Sequence, residues 1–172
     1  MKRFKIIILS FYLLLISIVP SLGAGSDGDL LKVDWSFKGL TGKFDRSSLQ
    51  RGFQVYKEVC SSCHSMQYLS YRNLGEPGGP EFSEQEVKAI AASIEIDDGP
   101  DSQGEMFTRP GRPADKFKSP YPNVNASIAA NGGAYPPDMS VLVKARPGGS
   151  NYIYSVLMGY EDPPTGMNLD DG

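Results

Sequence analysis

The chain has 172 residues, the length of one domain, with 17 basic against 20 acidic side chains. A formal charge of −3 argues against a nucleic-acid binder, which presents a basic face. Two cysteines and one histidine are too few for a closed structural zinc site, which takes four such ligands.

The first residues read as a targeting segment. Lys2, Arg3 and Lys5 precede an apolar run from Ile6 to Val19, and Pro20 leads into Ser21-Leu22-Gly23. A basic start, a short apolar core and small residues before the cut are the marks of a secretory signal. The run is short for a membrane span. Cleavage after Gly23 puts small residues at both key positions, with Ala24 the next choice. Removing residues 1–23 takes away three basic residues and no acid, moving the charge from −3 to −6. The expectation is an exported, acidic domain over residues 24–172, periplasmic in a bacterium and suited to a basic partner. No internal repeat is evident.

Residues 24–44 hold Trp35, Phe37, Leu40 and Phe44 among glycines and charges, and read as an extended, partly packed arm. Ser47 with Gln50 three residues on predicts a capping box. Leu49, Phe53, Tyr56, Val59 and Cys60 then recur at helical spacing, so an amphipathic helix runs directly into Cys60-Ser61-Ser62-Cys63-His64. That pentapeptide is a C-x-x-C-H motif, the attachment pattern of a c-type haem. One turn offers two thiols to the vinyl-derived carbons of one porphyrin edge, and the next side chain swings an imidazole to the iron. A redox dithiol of the thioredoxin kind would sit beside a βαβ pattern, and none appears. With His64 as the one histidine, the chain alone cannot build a bis-histidine haem.

Residues 73–81, rich in Gly and Pro, form a loop. Ser83 with Glu86 predicts a second capping box, with Phe82 and Val87 as its hydrophobic staple. Val87, Ile90, Ala91 and Ile94 make one apolar stripe on the helix that follows. Residues 95–122 contain five prolines and no sustained periodicity, so they read as irregular chain that could wrap a cofactor. Asp97, Asp98, Asp101 and Glu105 cluster at their start. Arg109 follows, with a charge suited to a haem propionate. Asn123 caps a short helix that stops at Gly132-Gly133. Pro136-Pro137 fixes a turn, Asp138 or Ser140 caps a helix through Arg146, and Ser150 caps a last helix from Asn151 to about Gly159. The predicted fold is mainly α, a cytochrome c-like haem domain with long irregular loops.

The combination of motifs resembles the cytochrome c1 family. The matching residues are Arg51-Gly52-Phe53-Gln54-Val55-Tyr56-Lys57-Glu58-Val59 leading into the haem motif, then Asp98-Gly99-Pro100, Gly104-Glu105-Met106-Phe107, Arg109-Pro110-Gly111 and Pro120-Tyr121-Pro122-Asn123. Pro136-Pro137-Asp138 and Gly159-Tyr160-Glu161-Asp162-Pro163-Pro164 continue the series in the same register. The resemblance implies covalent haem c on Cys60 and Cys63, with His64 as proximal ligand and the one residue on the metal. It places Arg109 at a haem propionate and Pro136 and Pro137 in the haem pocket. It implies an electron-transfer subunit beside cytochrome b, taking electrons from the Rieske iron–sulfur protein and passing them to a soluble cytochrome c. No residue is assigned a catalytic role.

This chain departs from the family in several places. The family's sixth iron ligand is a methionine in a later segment, and its membrane anchor follows that. Both would lie past Gly172, so the expectation is the N-terminal part of a precursor. Pro147 stands where a histidine is usual, and Lys116 where an aromatic is common. Two other readings compete: a self-contained periplasmic c-type electron carrier using Met139, Met158 or Met167, and a haem enzyme or sensor with an open sixth position. No second histidine is present to serve a peroxidase as distal base.

Overall fold

The computed structural model describes residues 30–167. Among these residues the α-helices are α1 (Arg46–Glu58), α2 (Glu84–Ala92), α3 (Val124–Ala130), α4 (Leu142–Ala145) and α5 (Ser150–Met158). Two 3-10 turns, Cys60–Ser62 and Tyr71–Gly75, lie between α1 and α2. The fold is mainly α with long irregular connections, as the sequence predicts. None of the described helices is long and apolar enough to cross a membrane. The leader assigned to residues 1–23, the arm's first six positions and the acidic end Asp170-Asp171-Gly172 lie outside the described residues.

The core forms where α1, the Tyr71–Gly75 turn, α2 and the 115–117 segment meet. Tyr71, Leu74, Val87, Ala91 and Phe117 are buried, with Phe53, Tyr56, Phe82 and Ile90 packed against them. Phe117 is its centre, with ring centroids 4.8 Å from Tyr71, 5.9 Å from Tyr56 and 6.2 Å from Phe53. The stripe Val87, Ile90, Ala91 and Ile94 faces this cluster, as its helical spacing requires. Backbone pairing pins Phe117 in place, because its N–H donates to Leu69 O at 3.0 Å while Tyr71 N–H donates to Asp115 O at 3.1 Å.

Two of the predicted caps form. Ser83 Oγ accepts from Glu86 N–H, and the Glu86 carboxylate takes back the Ser83 N–H at 2.8 Å, satisfying two orphan donors of α2. Asn123 Oδ1 accepts from Ala126 N–H at 2.9 Å to start α3. The others differ. Asp45 rather than Ser47 caps α1, its carboxylate accepting from Ser48 N–H at 2.8 Å. Gln50, free of any capping box, instead donates to Pro80 O at 3.0 Å. Ser150 is the first residue of α5, not its cap; Gly149 occupies that position at φ +55°, which favours glycine. Neither Asp138 nor Ser140 caps α4, which starts at Leu142 after Val141.

The irregular reading of residues 95–122 is corrected by a hairpin. β1 (Glu95–Asp98) pairs antiparallel with β2 (Phe107–Pro110), placing Ile96 opposite Arg109 and Asp98 opposite Phe107. Asp101 organises the connection, its carboxylate accepting from Gln103 N–H at 2.8 Å and Glu105 N–H at 3.0 Å. The hairpin then runs against the end of α2. Gly111 N–H donates to Ile94 O at 2.8 Å, and a side chain at Gly111 would meet Ala91 O at 2.5 Å, so only glycine fits.

The arm packs as the sequence predicts, and its partner is α5. Trp35 Nε1–H donates to Asn151 Oδ1 at 2.7 Å, Leu31 N–H donates to Ser155 Oγ at 2.8 Å, and the Trp35 ring meets Tyr154 edge-on at 5.7 Å. Phe37 stacks between Trp35 and Phe44, at 5.5 and 4.7 Å.

Candidate haem-attachment site

α1 ends at Glu58, and the chain tightens at once into the Cys60–Ser62 turn. Cys60 O accepts from Cys63 N–H at 3.2 Å and from His64 N–H at 2.8 Å. These two bonds fold the motif into a single compact turn on the end of the helix. Both thiols are free and partly exposed. Among the described residues no group of three His, Cys, Asp or Glu side chains could by itself hold a metal ion.

The orientation of His64 is fixed from a distant part of the chain. Its Nδ1 lies 2.8 Å from the carbonyl of Pro137, 73 positions away. A carbonyl can only accept, so Nδ1 carries the proton and Nε2 keeps its lone pair for a metal. The two segments are stitched together beside this bond. Ser65 Oγ–H donates to Asp138 Oδ2 at 2.7 Å, Gln67 N–H to the same oxygen at 2.9 Å, and Ser140 N–H to Asp138 Oδ1 at 2.9 Å. Met139 N–H donates to Ser65 O at 2.8 Å, and Tyr68 N–H to Ser140 Oγ at 3.1 Å. Burial opposes ionisation of Asp138, but the bonds from Ser140, Gln67 and Ser65 outweigh it and hold the carboxyl below its usual range. On the other side Tyr56 Oη–H reaches His64 O at 3.3 Å, and burial pushes that phenol up to about 12, so it stays neutral.

A cavity of about 440 Å³ opens beside Cys63, lined by Phe117, Pro120, Tyr121, Tyr135 and Pro136 among others. A second of about 300 Å³ lies on the Ser61 side, against Phe53, Tyr56, Ile90 and Ile94. Phe117, Ser119 and Pro120 line both, so the two cavities flank one wall. This donor set fits a c-type haem: two free thiols on one turn, an imidazole with Nε2 released, and apolar walls on either side.

Of the residues assigned from sequence, the structure brings Cys60, Cys63, His64, Pro136 and Pro137 together. Arg109 stands apart, lining neither cavity. Its guanidinium is held by Asp115, with Nη1–H to Oδ2 at 2.7 Å and Nη2–H to Oδ1 at 2.9 Å, while Nε–H goes to Asp98. The Arg109 bonds hold the Asp115 carboxyl down to about 2. Asp138 and Ser65 are the site residues that sequence reasoning missed. The sequence offers Asp138 as a helix cap and as part of the Pro136-Pro137-Asp138 match, but not as a clamp, because its true partners Ser65 and Gln67 are more than seventy positions away.

The fold and the motif together define a c-type cytochrome scaffold. Residues 35–172 match the Cytochrome C1 family, and the chain belongs to it. It is 57% identical over 137 residues to "Cytochrome c1" of Rhodospirillum rubrum, covering 80% of this chain and 49% of that protein. It is 51% identical over 138 residues to "Cytochrome c1-2, heme protein, mitochondrial" of Solanum tuberosum, covering 80% and 52%. Against "Cytochrome c1, heme protein, mitochondrial" of Schizosaccharomyces pombe it is 46% identical over 157 residues, covering 89% and 50%. The chain thus spans about half the length of these relatives.

Proposed function

We propose that this chain carries one covalent haem c and serves as the electron-transfer haem subunit of a ubiquinol–cytochrome c reductase. Cys60 and Cys63 hold the haem through thioethers, and His64 Nε2 is the proximal ligand. The haem supplies a one-electron couple whose potential depends on its axial ligands and surroundings. The protein's part is to hold and orient it. The Pro137 carbonyl selects the His64 tautomer, Asp138 fixes the segment that carries Pro137, and Pro136 walls the cavity beside Cys63. The observation that carries the reading is the 2.8 Å bond from His64 Nδ1 to Pro137 O, since it leaves an imidazole ready for iron next to two thiols.

In this reading residues 1–23 export the chain, and the haem domain works on the periplasmic side of a bacterial inner membrane. It sits beside cytochrome b, accepts electrons from the Rieske protein and passes them to a soluble c-type cytochrome. Similarity to proteins named "Cytochrome b/c1" and "Cytochrome b-c1 complex catalytic subunit, mitochondrial" supports this assembly. The exposed acids Asp97, Asp101 and Glu105 of the hairpin suit a basic partner. The self-contained carrier is less well supported. Met139 N–H donates to Ser65 O at 2.8 Å, so Met139 belongs to the stitched segment that backs His64. Met158 and Met167 are 59% and 55% exposed at the far end of the chain.

The test is haem staining after export with an intact maturation system. Cys60→Ala and Cys63→Ala should each cripple covalent attachment, and the double variant should abolish it. Full staining of the double variant would refute the reading.

A further inference from the structure

The clamp beside His64 is made with a charge. Asp138 accepts from three donors at once, the Ser65 hydroxyl and Gln67 N–H on Oδ2 and Ser140 N–H on Oδ1. A carboxylate can do this because both of its oxygens only accept, whereas an amide would turn an N–H toward one of the donors. All three donors are neutral, so they hold the negative charge without cancelling it. Against burial, those bonds rather than a nearby cation keep the carboxyl below its usual range.

The surroundings leave the charge uncancelled. Among the described residues no lysine or arginine forms a salt bridge with Asp138. Lys116, the cation that reaches this turn, gives its ammonium to Tyr68 O at 3.2 Å. The carboxylates of the hairpin are treated differently. Asp98 and Asp115 both face Arg109, and Arg112 adds a further positive charge near them. The Asp138 charge is also felt across the turn: after burial and Tyr71, it adds to the rise of the Tyr56 phenol, whose hydroxyl reaches His64 O at 3.3 Å.

The place of this charge relative to the imidazole is fixed from two directions. Ser65, which donates to Asp138, directly follows His64, and the Asp138 amide is joined to the Pro137 carbonyl that accepts from His64 Nδ1–H at 2.8 Å. A charge in partly buried surroundings acts more strongly than one in water. Oxidation of a haem iron adds one positive charge at the metal, and a negative charge held nearby favours that state.

Resting on the haem reading above, we propose that Asp138 tunes the haem couple: its uncompensated carboxylate, held behind the proximal imidazole, lowers the midpoint potential. Asp138 does not bond the imidazole itself, so it is a positioning residue. Its charge adds an effect that its hydrogen bonds alone would not produce.

The test is a spectroelectrochemical titration of the full-length, haem-loaded protein at one fixed pH. Haem content is read first from the pyridine haemochrome spectrum. Asp138→Asn keeps the size of the side chain and removes its charge, so the midpoint should rise. Asp138→Glu keeps the charge and should hold the midpoint near the wild-type value. An unmoved midpoint in Asp138→Asn overturns the inference. An equal rise in both variants also overturns it, because the effect then belongs to geometry. If Asp138→Asn loads no haem, Gln67→Lys decides. Gln67 bonds Asp138 through its backbone N–H, while its exposed side chain lies 3.5 Å from Ser65 Oγ, so the substitution sets a cation beside the carboxylate and leaves the clamp intact. The midpoint should rise there too, and an unmoved one overturns the inference. Absence of haem from the wild-type protein overturns the haem reading and this inference with it, while full haem with an unmoved midpoint overturns this inference alone.

Discussion

Asp138 and Asp115 each tie down a loop, and they do so by different physics. Asp138 accepts from neutral donors, namely the Ser65 hydroxyl and the N–H groups of Gln67 and Ser140, and two of these lie more than seventy positions away. Asp115 faces a full positive charge only six positions away, in a two-pronged pair with Arg109. The first clamp closes a long loop and holds the imidazole's backing. The second stiffens a local hairpin. One residue type thus serves a site through long-range hydrogen bonds and a scaffold through short-range charge, and the two should respond differently to mutation, salt and acid.

The largest effect is expected at the long-range clamp. Asp138→Ala strands the buried Ser65 hydroxyl and frees the segment carrying Pro137, so unfolding free energy should fall by about 3 kcal/mol. Urea denaturation of the haem-loaded protein measures that loss. The same variant should also lower the yield of attached haem, whereas Asp115→Asn should leave the yield intact. Equal haem yields in the two variants would erase the contrast between them.

Asp115→Asn should cost about 1 kcal/mol, and the loss should shrink in high salt, which screens a pair near the surface. The Asp138→Ala loss should not change with salt, because its partners are uncharged. Acid offers a second comparison. The Asp115 carboxyl is depressed from an ordinary 3.8 to about 2, so the folded state binds its proton less readily than the unfolded chain does. Its contribution is therefore full above the ordinary value and drains away as pH falls toward 2. The wild-type advantage over Asp115→Asn, followed by thermal melts, should vanish across that window.

The smallest effect is expected at Tyr56. Its hydroxyl makes one long bond to His64 O, so Tyr56→Phe should cost about 0.5 kcal/mol and leave haem attachment unchanged. A large loss of haem in that variant would move part of the imidazole's support from the Pro137 side to α1.

What was legible in the sequence follows the reach of each interaction. The C-x-x-C-H turn, the Ser83–Glu86 box and the Asn123 cap are each closed within four residues, so spacing alone reveals them. Asp138 looked like a helix cap because an aspartate near a helix start usually is one. Its true partners, Ser65 and Gln67, cannot be seen from local spacing. The hairpin was hidden for a related reason. Its strands are four residues each, and β1 ends in Asp97-Asp98, residues that strands ordinarily avoid. It is held by Arg109 reaching Asp98 across the sheet and by the turn bonds of Asp101, rather than by an alternating apolar face. At α1, Asp45 outcompeted Ser47 because its carboxylate reaches the Ser48 amide three positions on, the usual offset for a cap.

The belt formed by the arm on α5 sets an order of events. Trp35 waits for Asn151, 116 positions later, and Leu31 waits for Ser155, 124 positions later. A chain made from its N-terminus presents Cys60 and Cys63 long before either partner exists. The thiols are therefore reachable while the molecule is still open, and the buckle fastens only after α5 arrives. Cargo can be loaded before the strap is tied.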